Sequence, residues 1–217
     1  MPRAALFDMD RTLVRKETAS LYVRYQRARG EAGLRDLAQV LFWVAQYTLG
    51  VIDAPVVARK ALAGYRGMAE GIMVERCEDF FSSHVERHIT DAGRRAVEKH
   101  RAQGDTLAIV TGATVYVARP LARTLSIPHV VTSELELDAS GCFTGRPVDP
   151  LCIGEGKVVR TERLARELGF RLDEATFYSD SLTDLPLLER VREPVAVNPD
   201  LRLLRVARRR GWRIERW

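Results

Sequence analysis

Apolar positions along this chain follow two periods. Near-unbroken apolar runs recur at residues 4–7 (Ala-Ala-Leu-Phe), 107–110 (Leu-Ala-Ile-Val) and 175–178 (Ala-Thr-Phe-Tyr), the pattern of strands buried on both faces. Between the first and second runs the spacing is helical throughout. It predicts helices over 17–29, 34–49, 54–64 and 69–88, then a further one over 92–103. Gly30, Gly33, Gly50, Gly64 and Gly104 fall where helix ends are expected. Beyond Gly104 the pattern gives a strand, a helix over 115–125 and a strand over 129–137. A turn signal at 138–141 follows, then a return strand opening at Cys142-Phe143-Thr144, hence a hairpin. Next come a helix from Lys157, the 175–178 strand, a short helix after Asp184, a strand at Val195-Ala196 and a helix after Asn198-Pro199. An edge strand over 212–217 closes the chain.

Strand alternating with helix implies a three-layer, Rossmann-like α/β core around a parallel sheet. The stretch after the first strand is too long to be a loop of a compact domain. Residues 15–89 are therefore expected to form an inserted helical cap, with 1–14 and 90–217 as the catalytic core. The most apolar segment, 37–52, contains Gln39 and Gln46. It is too short and too polar for a membrane span. It reads as a buried or partly buried cap helix, with the alternative that Phe42, Trp43 and Tyr47 line a pocket or touch lipid.

Polar chemistry clusters where the runs end. Asp8 and Asp10 follow the first run, with Thr12 beyond them; Thr111 and Gly112 follow the second. Gly154-Glu155-Gly156-Lys157 opens a helix, and Ser179-Asp180-Ser181-Leu182-Thr183-Asp184 follows the third run. Ligands of open α/β sheets bind beyond the carboxyl ends of the strands. Paired carboxylates there repel unless a cation or proton offsets them, and oxygen-only ligation suits Mg²⁺. The set supplies what phosphoryl transfer needs. It holds a carboxylate nucleophile, a second carboxylate to move protons, a hydroxyl and backbone N–H groups for phosphate oxygens, a lysine, and more carboxylates for a metal.

The four motifs, in this order from Leu6 to about Pro199, resemble those of the haloacid dehalogenase superfamily. The likeness is greatest to its phosphoserine-phosphatase-like branch, which carries a helical cap between the first two motifs and a Glu-Thr pair, here Glu17-Thr18. The resemblance implies a Mg²⁺-dependent phosphomonoester hydrolase acting on a small phosphorylated metabolite through an aspartyl-phosphate. In that scheme Asp8 is the nucleophile and Asp10 the acid and base. Thr111 and Gly112 bind the phosphoryl group, and Lys157 offsets the carboxylates. Asp8, the backbone carbonyl of Asp10 and Asp180 hold Mg²⁺, while Asp184 orients Lys157 or a metal-bound water. Glu17 would face an amine of the substrate; equally, it could be a helix-start glutamate favoured by the dipole. The branch also uses a cap arginine, for which Lys60 and Arg66 are the nearest candidates. Lys60 and Lys99 are weaker alternatives to Lys157. Arg11 stands where many members carry Gly.

Composition narrows the alternatives. The chain has 217 residues and 46% hydrophobic content, which excludes a disordered class. Its formal charge of +5 favours anionic partners, and a phosphate ester already accounts for that. Met1-Pro2-Arg3 leads straight into the first run, so no leader is expected. Three cysteines, Cys77, Cys142 and Cys152, without Cys-x-x-Cys spacing, point to a reducing cytoplasm and ordinary thiols. His84 and His88 share a helical spacing but lack a third zinc ligand. Residues 202–217 hold seven arginines and one glutamate; with no aromatics interleaved in the basic cluster, as a stacking surface would have, they read as a solvated face and guarded edge rather than a nucleic-acid surface. Phosphoryl transfer to an acceptor other than water remains an alternative. So does an idle scaffold or nucleic-acid-binding relative, against which the intact motif set argues. Oligomeric state is not indicated.

Overall fold

The computed structural model describes residues 3–31 and 54–217. The expected helix over 34–49 and the apolar segment 37–52, with Phe42, Trp43 and Tyr47, lie outside the described residues. The buried run Ala4–Phe7 (β1) is the central strand of a seven-stranded sheet. It pairs in parallel with Thr106–Thr114 (β2) on one side and Thr176–Ser179 (β5) on the other. His129–Leu137 (β3) extends the sheet beyond β2, and Phe143–Val148 (β4) returns antiparallel to it. Asp138 makes that turn: its Oδ1 accepts from the N–H groups of Ser140 (2.9 Å) and Cys142 (3.1 Å). Beyond β5, Glu193–Val197 (β6) and the edge strand Arg213–Glu215 (β7) complete the sheet, both parallel.

Because side chains alternate along a strand, each central strand feeds two cores. Ala5, Phe7, Leu107 and Ile109 face one side, where helices Thr18–Ala28 (α1), Asp91–Ala102 (α4) and Val115–Thr124 (α5) supply Leu21, Tyr25, Val97 and Leu121. Ala4, Leu6, Ala108 and Val110 face the other. There Glu155–Leu168 (α6) and Leu201–Arg210 (α7) supply Val158, Ala165, Leu203 and Ala207. The three layers expected from the strand–helix alternation are therefore present.

Helices Ala54–Ala63 (α2) and Glu70–Phe80 (α3) have a cluster of their own. Leu62, Met73 and Cys77 pack with Tyr116, Leu135, Phe143 and Leu151 of the core. Backbone bonds fasten this insertion to the hairpin: Gly67 N–H donates to Phe143 (2.8 Å), Phe143 N–H to Met68 (2.9 Å) and Glu70 N–H to Gly141 (3.0 Å). The helix expected over 69–88 does not run through. After Phe80 it widens into a five-residue π-turn, Phe81–Val85, then a tight turn at Glu86–His88. Ser82 and Ser83 both donate to the carbonyl of Asp79, at 3.1 and 2.5 Å, and such hydroxyl bonds compete with the helical ladder. Thr90 then caps α4 by accepting from Gly93 N–H at 3.1 Å.

Candidate active site

The register gathers the motifs at one edge of the sheet. Phe7 pairs with Ile109 and with Tyr178, so Asp8 stands level with Val110 and Ser179, and Thr111 and Asp180 lie one residue further on. Asp8 N–H extends the ladder to Tyr178 O at 2.9 Å. The pairing of β2 with β3 slips between Val110 and Thr114, so Thr111, Gly112 and Ala113 bulge out of register just past Asp8, as bulges beside sites do. Thr111 Oγ1 accepts from Ala113 N–H at 3.2 Å. A Cβ on Gly112 would lie 3.3 Å from Ile153 Cγ1 and 3.6 Å from Cys152 O, so the turn sits tightly against the 152–153 loop.

Lys157 reaches the site because α6 begins there. Gly154 adopts φ +56°, and a Cβ on Gly156 would lie 1.9 Å from Leu151 O; only glycine allows so close an approach. Arg160 secures the same loop, donating to Pro150 O at 2.6 Å and Val148 O at 2.7 Å. Lys157, 3% exposed, donates to Asp8 Oδ1 at 2.8 Å and Asp184 Oδ2 at 2.5 Å. Ser179 Oγ donates to the same Asp184 oxygen at 2.7 Å. Burial pulls the lysine's pKa down, but the charges of Asp184 and Asp8 outweigh that and hold it above the usual range. Lys60, Lys99 and Arg66 are exposed, and no ion pair joins them to these acids.

The acids carry the opposite strain. Burial pushes Asp8 up to about 7, against the pull of Lys157. Burial, then the neighbouring Asp8 charge, pushes Asp180 up to about 9, with Arg11 opposing. Asp10 is raised to about 6 by desolvation, with Thr18 opposing. The Thr18 contacts are direct: its N–H donates to Asp10 Oδ1 at 2.9 Å and its hydroxyl to Oδ2 at 3.1 Å. Asp10 thus satisfies an orphan N–H at the start of α1.

Glu17 stands at the N-cap of α1, where the dipole favours a carboxylate, and its side chain makes no cap hydrogen bond. Its Oε1 lies 3.7 Å from the Arg11 guanidinium, whose Nε lies 3.3 Å from Asp180 Oδ2. Glu17 is therefore turned toward the acids of the site. Arg11 has φ +55°, a left-handed backbone that costs a non-glycine residue about 1–2 kcal/mol. That is the physical reason a glycine suits this position. Asn198 Nδ2 holds the Arg11 carbonyl at 3.1 Å.

Sequence reasoning missed Arg11, Thr18 and Ser179 as contributors. Thr18 was legible only as half of the Glu-Thr pair; the reach of Arg11 and the bond of Ser179 depend on tertiary placement. Among the described residues, no three His, Cys, Asp or Glu side chains converge as a cage, His84 and His88 included. Cys77 and Cys152 are buried, and burial pushes both thiols up to about 12. No described helix is long and apolar enough to cross a membrane.

A parallel sheet with acids beyond two neighbouring strands, β1 and β5, bridged by a buried lysine, and a hydroxyl-bearing turn beyond β2, is the frame of an enzyme site built on aspartates. The haloacid dehalogenase-like hydrolase family model matches residues 5–189; the chain belongs to that family and is an enzyme of its phosphatase class. It is 34% identical over 215 residues to a Mycobacterium tuberculosis protein named phosphoserine phosphatase, covering 97% of this chain and 70% of that one. It is 29% identical over 216 residues to the histidinol-phosphatase of Neisseria meningitidis, covering 98% and 97%. A solved structure of a Bordetella pertussis protein of unknown function superposes with a TM-score of 0.87 at 30% identity, over 99% of this chain and 98% of that one. A substrate-bound phosphoserine phosphatase shares the fold, with a TM-score of 0.73 at 16% identity, over 99% and 92%.

Proposed function

We propose that this protein is a Mg²⁺-dependent phosphomonoester hydrolase of a small cytoplasmic metabolite, working through an aspartyl-phosphate on Asp8. The observation that carries it is the pairing of two acids with different environments. Asp8 is ion-paired to a buried lysine, and Asp10 is held by Thr18 with its pKa raised to about 6. Burial lifts both acids toward neutrality, Asp8 to about 7 and Asp10 to about 6; the Lys157 ammonium 2.8 Å from Asp8 favours the ionised form that attacks phosphorus, while Asp10, held by Thr18, can carry a proton.

In this reading Asp8 Oδ attacks the phosphorus and the ester P–O bond breaks. Asp10 gives its proton to the departing alkoxide, so the alcohol leaves neutral. Asp10 then takes a proton from water, whose oxygen attacks the phosphorus and breaks the Asp8–phosphoryl bond, releasing phosphate. Thr111 and the backbone N–H groups of the bulge receive the phosphoryl oxygens. Lys157 counters charge at Asp8 throughout, held by Asp184.

The donor set fits a hard dication. Asp8 and Asp180 are buried oxygen donors, raised first by burial and then by the charge of neighbouring acids, a setting that a dication would relieve. Mg²⁺ needs only one or two carboxylates and otherwise keeps water. Asp8, Asp180 and the Asp10 carbonyl would hold it, where it would draw charge from the phosphoryl oxygens.

We further assign residues 15–89 as a cap. Support comes from α1, whose first residue contacts Asp10, and from Glu17, which is turned toward the site. Two relatives are named for phosphoserine and histidinol phosphate, whose leaving alcohols both bear an amine. Glu17 offers a carboxylate for such a group. Screening phosphorylated metabolites with Mg²⁺ tests the reading. Turnover of amine-bearing monoesters, abolished by a chelator, is expected. No phosphate release from any monoester, or undiminished release in chelator, would refute it.

A further inference from the structure

Arg11 is the second cation of this acidic cluster, and nothing in the reaction outlined above uses it. Its backbone is held in the left-handed region (φ +55°) and its carbonyl is tied to Asn198, itself at φ +42°. Asn198 is fixed in turn, since its Oδ1 accepts from Trp217 N–H at 3.0 Å. A non-glycine residue persists in such a conformation where its surroundings over-determine it. The constraint aims the side chain in one direction, across Asp180 at 3.3 Å and toward Glu17 at 3.7 Å. With its side chain 41% exposed, the guanidinium can leave Asp180 for solvent or for Glu17.

We propose that Arg11 is a built-in counter-cation that competes with the divalent cation for Asp180. This rests on the reading of Asp180 as a cation ligand. A carboxylate oxygen shared with a guanidinium donates less negative charge to a metal. Coordination therefore has to displace Arg11 or tolerate a positive charge within a few ångströms. Both weaken cation binding, and displacement frees the guanidinium beside Glu17, at the mouth where the leaving group would emerge. Arg11 thus tunes how tightly the cation is held and couples its binding to the charge at the mouth. Lys157 does not serve this purpose, because its ammonium is occupied by Asp8 and Asp184 on the inner side of the cluster.

The test is Mn²⁺ binding to the whole purified protein at physiological salt, followed by titration calorimetry and by the electron spin resonance of the free ion. Arg11→Gln should bind Mn²⁺ roughly five- to tenfold more tightly than wild type, the size expected for one nearby charge after discounting for exposure. Arg11→Lys should lie between the two. Arg15→Gln removes an exposed arginine four positions away and should leave the affinity unchanged. An Arg11→Gln affinity equal to or weaker than wild type would overturn the proposal. So would an equal gain in Arg15→Gln, which would mark a general field effect rather than competition at Asp180. Asp180→Asn separates the two levels. If it binds Mn²⁺ as wild type does, the ligand reading of Asp180 fails and the competition falls with it. If it binds weakly while Arg11→Gln is unchanged, only the role of Arg11 is wrong.

Discussion

Replacing Lys157 by methionine should unfold the protein at a markedly lower temperature. Methionine keeps most of the lysine stem's volume, so little cavity forms. What is lost is one ammonium, 3% exposed and bonded to Asp8 at 2.8 Å and Asp184 at 2.5 Å. Both carboxylates are then left buried and facing each other. Breaking a buried ion pair by removing one partner costs about 3–5 kcal/mol, against a total stability of about 5–15 kcal/mol. For a chain of this length each kcal/mol moves the midpoint by roughly 2–4 °C, so a fall of about 6–20 °C is expected. Thermal unfolding followed by circular dichroism measures it. The exposed pair Arg171–Asp173 gives the contrast. Arg171→Ala should leave the melting midpoint close to that of wild type, because water screens that pair. A double variant, Lys157→Met with Asp184→Asn, should lose less than the sum of the two single losses, because the second change removes one stranded charge. If Lys157→Met melts within about 2 °C of wild type, the buried pairing is not what holds the acids together, and the electrostatic reasoning fails.

Other outcomes follow from the same geometry. Asp180→Ala should abolish the rise in melting temperature that MgCl₂ gives the wild-type protein; retention of the full rise would exclude Asp180 as a ligand. Gly156→Ala should prevent folding or cost several kcal/mol, since its Cβ would lie 1.9 Å from Leu151 O. Gly71→Ala, with nothing within 4 Å of the new methyl, should be neutral or add up to about 1 kcal/mol, and equal denaturation midpoints for these two variants would contradict the packing described around Lys157. Glu17→Ala should change the ranking of amine-bearing against amine-free phosphate esters more than it changes hydrolysis of a simple aryl phosphate. A uniform loss across both groups would make Glu17 structural.

Much of the core could be read in advance because its strands are short apolar runs that end in polar chemistry. Residues 4–7 and 175–178 became β1 and most of β5 nearly as drawn, and the acids lie at the strand ends because the register leaves them nowhere else. The hairpin was legible from Asp138-Ala139-Ser140-Gly141, whose turn chemistry is local. The second strand runs further than its apolar core, from Thr106 to Thr114, since a bulge is a pairing event with no signature in one strand's sequence. The break after Phe80 was hidden for a similar reason. Ser82 and Ser83 fit a helical pattern, and only their bonds to Asp79 O show the ladder giving way. Arg11 reads as a surface arginine until Asn198, far along the chain, is seen holding its carbonyl.

The most direct measurement of the central claim is mass spectrometry of the enzyme acid-quenched during turnover of a phosphate monoester with Mg²⁺. The account predicts a single phosphoryl adduct, stable in acid and released by hydroxylamine, on the peptide that carries Asp8. It should be absent in Asp8→Asn, which should be folded and inactive. Steady turnover with no adduct on Asp8, an adduct on a different side chain, or a folded Asp8→Asn variant that still releases phosphate would contradict it.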